Sequence, residues 1–308
     1  MIASLFDPSF AESISRMTVP ILLAALGGAI CQRAGVFNIA LEGFIIIGAF
    51  MAVLGSYFFG SASVGLFCAM AGGVFMALLF AEFHLRRAGD PIIVSIALNL
   101  IGFGLSIYLL RAILGVSGVF QHDGIKKISN IHIPLVESLP YVGKLLSGQS
   151  LLFYFSIIAV LFCHAFYAKH RLGLWMRAAG ENASGLTSLG VSPKRMQFFA
   201  LIVCGVLCGL AGAQLSISNV GLFVENMSAG RGWIAVVAVL VSGGRPLPLL
   251  GLVFLFGGVD SMSLRVQGFG WPQQFTEILP YLASLLALII VSYKRLRKDW
   301  ATKGIKIT

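Results

Sequence analysis

Nine apolar runs, at residues 17–31, 44–60, 63–85, 92–114, 150–168, 198–218, 233–244, 247–264 and 275–293, fill most of this 308-residue chain and leave only short polar connectors. A helix rising ~1.5 Å per residue needs ~20 apolar residues to cross a ~30 Å hydrocarbon layer. Several runs approach that length. Charged residues make up only 11% of the chain and hydrophobic ones 58%, where a soluble domain carries roughly a quarter charged residues. A water-soluble surface cannot be built from so few charges. The runs lack the alternating period of a membrane barrel, so the expected fold is all-α: a polytopic membrane helix bundle of about 8 to 10 transmembrane segments. The runs extend from end to end, so residues 1–308 read as a single integral-membrane domain.

Two places break the pattern. Run 233–244 is too short to cross, and run 17–31 leads into a break between Gly35 and Gly43. Tilted, half-crossing or broken helices are expected there, which a bilayer tolerates only inside a protein bundle.

Basic residues set the orientation. With 169–197 in the cytoplasm, that loop holds Lys169, Arg171, Arg177, Lys194 and Arg195, and the carboxyl end places Lys294, Arg295, Arg297, Lys298, Lys303 and Lys306 on the same side. Arg33, Arg86, Arg87 and Arg245 follow if every run crosses, putting fifteen of the 22 basic residues inside. Loop 115–149, with Lys126, Lys127 and Lys144, is then external. So is the amino terminus, unless run 233–244 re-enters.

Several classes of chemistry find no support. Run 17–31 has no basic leader or cleavage pattern, so it is expected to be retained. Cys31, Cys68, Cys163, Cys204 and Cys208 lie in or beside apolar runs with no CxxC pair, and read as small packing residues. The net charge of +10 is spread over loops without interleaved aromatics, a topology signal with no nucleic-acid partner implied. The chain has no GxxxxGK[ST] phosphate loop and no HExxH, and His84, His122, His132, His164 and His170 do not pair at metal spacing. Asn182-Ala-Ser and Asn226-Met-Ser match a glycosylation sequon by chance. No catalytic residue, metal or cofactor is expected.

Transport remains, and the stretch AAGENASGLTSLGVSPKR at 178–195 gives it form. Gly180, Gly185 and Gly190 punctuate it. Between them Ala183 to Leu189 has the length of about two helical turns and would present Leu186 and Leu189 to a groove in another protein. A plain solvated loop is the alternative. Lys194 and Arg195 either pair with acidic residues of that partner or anchor the helix end at the membrane surface.

Polar residues at membrane depth are the candidates for a substrate pathway. Asn38 and Glu42 are four apart, which on a helix places them on one face beside the break. They either meet substrate or brace the broken helix, and Arg33 is a candidate to neutralise Glu42. Ser95, Asn99, Gly102 and Ser106 form one small polar face that must turn inward, to pack a neighbour or line the pathway. Gln214, with Ser218 one turn on, is a parallel case. Gly205 and Gly209 form GxxxG and point to close helix packing. Asp260, Arg265 and Glu277 are candidates for an ion-pair cluster or a docking site. Phe223, Trp233 and Trp271 read as an aromatic belt, one of them available to stack on a base. No Lys or Arg sits in the middle of a run, which favours a neutral polar solute.

The stretch RAAGENASGLTSLGVSPKRMQFFAL, from Arg177 to Leu201, resembles the coupling-helix loop of permease subunits in bacterial ABC importers. GGAICQRAGVFNIALEGFIIIGAF at 27–50 is similar to the GxxNIGxEG segment of the branched-chain amino acid, simple-sugar and nucleoside permeases. DPIIVSIALNL at 90–100 and GRGWIAVVAVLVSGGRPLPLLG at 230–251 agree in place and order. Departures are Ala40 for a common Gly, Ser184-Gly185-Leu186 in an often Pro- or Ala-rich place, and Ser242 to Leu247.

The resemblance implies a type II importer-like fold and a non-catalytic permease. Its partners would be two cytoplasmic ATPase subunits, a second, different but homologous permease, and an external solute-binding lipoprotein. It assigns ATPase coupling to Gly180, Glu181, Asn182, Ala183, Ser184, Gly185, Leu186, Leu189, Gly190, Lys194 and Arg195. The implied cargo is a nucleoside, with a simple sugar or branched-chain amino acid as alternatives. A carrier working without an ATPase, and a purely structural or sensor subunit, are the rival classes.

Overall fold

The computed structural model describes residues 8–131, 143, 145, 147–268 and 273–302. His132, Lys144, Trp271, Lys303 and Lys306 lie outside that set, as do the side chains of Glu277, Lys294, Arg295, Arg297 and Lys298.

Within it the helices are α1 (Pro8–Arg33), α2 (Leu41–Phe59), α3 (Ala62–Phe80), α4 (Pro91–Leu114), α5 (Leu151–Lys169), α6 (Arg171–Glu181), α7 (Ala183–Ser188), α8 (Pro193–Ala213), α9 (Arg231–Ser242), α10 (Pro246–Gln267) and α11 (Gln273–Thr302). Helix α3 continues as a π-helical turn over Ala81–Arg86, and α8 over Gln214–Val220. Seven of the helices are long and apolar enough to cross a membrane, and two further apolar stretches, Arg231–Ser242 and Ile278–Val291, are shorter. The bundle expected from the sequence is present, including both interruptions.

Local chemistry sets the helix ends. Asp90 caps α4 by accepting hydrogen bonds from the Ile92 and Ile93 amides at 2.9 and 3.1 Å, with Pro91 in the first turn where no amide partner is needed. Gly115, at φ +69°, closes the same helix in the left-handed conformation. Between α1 and α2 the chain is not helical, so Asn38 and Glu42 do not share a helix face as their spacing had implied.

Helix α2 is central, buried for most of its length, with α3, α4 and α8 packed around it. Gly205 and Gly209 make that packing possible. A methyl group on Gly73 of α3 would overlap the carbonyl oxygen of Gly205, and one on Gly48 of α2 would stand 2.7 Å from the Gly209 Cα. The GxxxG reading is therefore borne out as backbone-to-backbone contact.

Two short antiparallel ladders, Val119–Phe120 with Phe223–Val224 and Asn130–Ile131 with Gln149–Ser150, gather at one end of the bundle. There the Ser56 hydroxyl donates to the Lys126 carbonyl at 2.9 Å and accepts from the Lys126 amide at 2.8 Å, tying α2 to that connection. Phe223 is fully buried with its ring edge-on to Phe50, so it is a packing residue and no part of a belt. At the opposite end, α6 lies against the end of α1 and the break that follows it, and α7 packs on α6 and α8.

Candidate functional site

The residues from Val36 to Ala40 connect two buried helices without helical hydrogen bonds, so their backbone groups need other partners. The polar face of α4 supplies them. Asn99 Oδ1 accepts from the Gly43 amide at 2.8 Å and its Nδ2 donates to the Ile39 carbonyl at 3.1 Å. Ser95 Oγ accepts from the Ile39 amide at 3.1 Å and donates to Pro91. Asn38 Oδ1 accepts from the Ala40 amide at 2.8 Å, turning the chain into α2, while its Nδ2 faces the Cys204 thiol at 3.6 Å. Gly102 packs on Gly43. Ser106 bonds within its own helix. The face turns inward as the sequence requires, and its hydrogen bonds brace the break.

An Asn99→Leu substitution preserves size but strands a buried amide and a buried carbonyl, each worth about 1–3 kcal/mol. The expected result is a clear fall in thermal unfolding midpoint in detergent. A pathway role alone would reduce uptake and leave that midpoint unchanged.

Glu42 has a different setting. Only 1% exposed, its carboxylate accepts hydrogen bonds from the Gly230 amide at 2.8 Å, the Gly232 amide at 2.6 Å and the Ser228 hydroxyl. It thus caps the short helix α9, whose free amides and positive dipole end favour a negative group. Arg33 does not neutralise it. That guanidinium instead donates to the Gly244 carbonyl at 3.1 Å and approaches Glu181 at 3.8 Å.

Beside Glu42 lies a chamber of about 530 Å³, lined by Asn226, Arg231, Trp233, Asp260 and Tyr281 among others. Arg231 and Asp260 form an ion pair at 3.1 Å, with side chains 13% and 15% exposed. The pair cancels its own charge and leaves Arg231 Nε buried without a partner. Trp233, 42% exposed, stands in the first turn of α9.

The cluster expected of Asp260, Arg265 and Glu277 is therefore re-formed. Asp260 pairs with Arg231, and Arg265 donates to Ser9 at 2.7 Å while its guanidinium lies over the Phe10 ring. Arg231 and Asn226 escaped the sequence reading because they flank run 233–244. The glycine pair Gly230 and Gly232 was the available signal of a helix start. Gln214 lies away from the chamber, accepting from Ser150 at 2.8 Å and donating to Asn219 at 2.9 Å.

The segment 178–195 has a defined shape. Asn182 caps α7 by accepting from the Gly185 amide at 2.9 Å, and Ser184 donates to the same oxygen. Gly190, at φ +77°, ends the turn that follows. Contrary to the pairing read from the sequence, Leu186 is buried at 1% exposure and roots α7 on the bundle. Leu189 alone projects, at 76% exposed. Lys194 and Arg195, at the start of α8, are also exposed. Gly180 meets the break between α1 and α2 without any side chain intervening: a methyl group on Gly35, itself at φ +83°, would stand 2.9 Å from the Gly180 Cα. Glu181 lies next to this contact, held loosely by Arg33 and by Arg177 at 3.7 Å.

Comparison with known proteins is consistent over most of the chain. The guanosine ABC transporter permease protein NupQ of Bacillus subtilis is 28% identical over 283 residues, covering 87% of each chain. The nucleoside ABC transporter permease protein NupC of Lactococcus lactis is 27% identical over 293 residues, 89% of each. TsgC13 of Haloferax volcanii, assigned as a glucose ABC transporter permease, is 33% identical over 84% of this chain and 79% of its own. Among solved structures, an inward-facing ABC transporter assigned to the metal-chelate type shares the fold at a TM-score of 0.51 and 16% identity, over 92% of this chain and 85% of that one. A profile described as the permease component of the branched-chain amino acid transport system matches residues 10–291. With that match spanning nearly every helix, the chain belongs to the branched-chain amino acid transport system permease component family.

Proposed function

We propose that this permease carries a neutral polar solute of the nucleoside class and is driven through α6 and α7 by separate cytoplasmic ATPase subunits. It contributes no catalytic group of its own. A second, homologous but different permease and an external binding lipoprotein complete the importer. The end bearing α6 and α7 is cytoplasmic, the carboxyl terminus lies on the same side, and the connection 115–149 is external.

The observation that carries the coupling is the shape of α7. It is a short helix capped by Asn182, rooted by Leu186 and offering Leu189 outward, which suits docking of one apolar knob in a partner's groove. Lys194 and Arg195 stand exposed nearby for acidic residues on the rim. ATP-driven closure displaces α7. Gly180 passes that displacement to the break beside Gly35, and α4 holds the break through Ser95 and Asn99. The nucleotide shifts access only in so far as it binds the two arrangements differently.

The cargo reading rests on the names of NupQ and NupC and on the chamber. At about 530 Å³ the chamber is of small-molecule size. Among its described lining residues the ion pair is self-neutralised and the one further carboxylate is satisfied by α9, so no net positive charge awaits an anion. Trp233 offers a ring for a base, and Asn226 a hydrogen-bonding amide. Glu42 is thus kept as a pathway residue, Asn38, Ser95 and Asn99 brace the break that leads into its helix, and Gln214 is set aside as a packing residue. A simple sugar is the second reading, favoured by the identity with TsgC13.

The test is capture and uptake together. With the partner subunits co-expressed, Leu189→Asp is expected to reduce ATPase capture by the purified permease by about tenfold or more, a loss of about 1.4 kcal/mol. Labelled guanosine uptake should fall with it. Undiminished capture removes the docking role. Uptake competed by glucose and untouched by nucleosides transfers the chamber to the sugar reading, and uptake persisting without the ATPase points to an autonomous carrier.

A further inference from the structure

Where α1, α6 and the start of α10 converge, a cavity of about 240 Å³ is lined by three guanidinium-bearing residues, Arg33, Arg177 and Arg245, together with His164, Tyr167 and Leu247. Each arginine comes from a different element. Like charges gathered at a partly buried site repel one another unless an anion sits among them. Among the described residues only Glu181 is paired with them, and it is paired poorly. Its carboxylate is 64% exposed and stands 3.8 Å from Arg33 and 3.7 Å from Arg177, too far for a hydrogen bond to either. Among the described residues Arg245 has no ion-pair partner, and Arg177 Nε is buried with no acceptor. The site therefore has a surplus of positive charge and a stranded N–H.

We propose that this cavity is a receptor for a phosphate group, which the three guanidiniums bind jointly. A phosphate matches them because its oxygens accept several N–H bonds at once in the fork geometry of arginine. Binding would tie α6 to α1 and to α10, fastening the base of the docking segment to the bundle. The cavity's lining includes exposed Leu247 and, on α5, His164 and Ala168, with exposed Leu161 one turn before His164 on the same helix. The phosphate can thus belong to an anionic phospholipid whose chains lie along α5, or to a small anion from solution. The proposal does not depend on the cargo or on ATPase docking, since the isolated chain suffices to test it.

The experiment uses the full-length permease in neutral detergent, with thermal unfolding and native mass spectrometry as readouts. The probes are phosphatidylglycerol, phosphatidylcholine of the same chains, and inorganic phosphate. Phosphatidylglycerol is expected to be retained and to raise the unfolding midpoint. In the Arg177→Gln, Arg245→Gln double variant its affinity should fall by about tenfold or more.

Because that variant risks a folding defect, Glu181→Gln gives the opposite arm. Removing the competing, exposed carboxylate should tighten binding severalfold. Phosphate acting alone with the same arginine dependence also supports the receptor and places its ligand in solution. Equal retention of phosphatidylcholine and phosphatidylglycerol overturns it. So does binding unchanged in both variants, or binding of none of the probes.

Discussion

A Glu42→Ala permease is expected to be the least stable of the single substitutions considered, because one carboxylate serves three donors. Its loss strands the amides of Gly230 and Gly232, and the Ser228 hydroxyl unless that group rotates elsewhere. At about 1–3 kcal/mol per buried unmet donor, the two amides alone represent roughly 2–6 kcal/mol, a large fraction of the ~5–15 kcal/mol that holds a typical soluble domain together. The favourable contact between the carboxylate and the positive end of α9 disappears as well. Glu42→Gln should be milder, since the amide keeps one acceptor oxygen while turning an NH₂ group toward a donor. Thermal unfolding in detergent separates the two, with alanine far below glutamine and glutamine below the parent. An alanine variant that unfolds at the parental temperature removes the capping role. A glutamine variant that is folded yet fails to take up guanosine assigns the charge to the chamber.

The second large effect is at Gly73. Helices α3 and α8 meet backbone to backbone at Gly73 and Gly205, so the methyl group of Gly73→Ala has no space and must push the Gly205 carbonyl away. Inserting volume into packed contacts costs typically 1–3 kcal/mol where side chains can yield. Here the obstacle is backbone, and the helices must separate along their length. Little monodisperse protein is expected on size-exclusion chromatography. Gly251→Ala is the matched control, since a methyl there meets nothing within 4 Å. It should elute as the parent does, with a small gain in unfolding temperature from better helix propensity. Comparable yields from Gly73→Ala and Gly251→Ala contradict the close packing.

What the sequence disclosed and what it withheld divide along a physical line. Apolar runs report on lipid and core, which act on each residue separately, so the crossings, the short α9 and the Gly35–Gly43 break were all legible. GxxxG is equally local. The pairing of Arg231 with Asp260 was not, because the partners are 29 positions apart and join only when α9 and α10 pack. Asn38 and Glu42 misled for a related reason: a four-residue spacing has helical meaning only if the backbone is helical, and Ser95 and Asn99 hold it otherwise. Leu186 and Leu189 look equivalent on a string, yet a two-turn helix must root one of them. The polar face of α4 was correctly read as inward. Its task of satisfying a broken backbone became visible only with the Ile39 and Gly43 partners in place.

The meeting of Gly35 with Gly180 has a consequence for how such a machine can diversify. In the proposed coupling, a joint whose two nearest surfaces are glycine backbone has little to tune chemically and would transmit displacement by shape alone, as a hinge pin does. Lineages can then exchange the groups that greet the cargo without resetting the linkage. A substitution at the pin itself, however conservative, should jam every version of the machine alike.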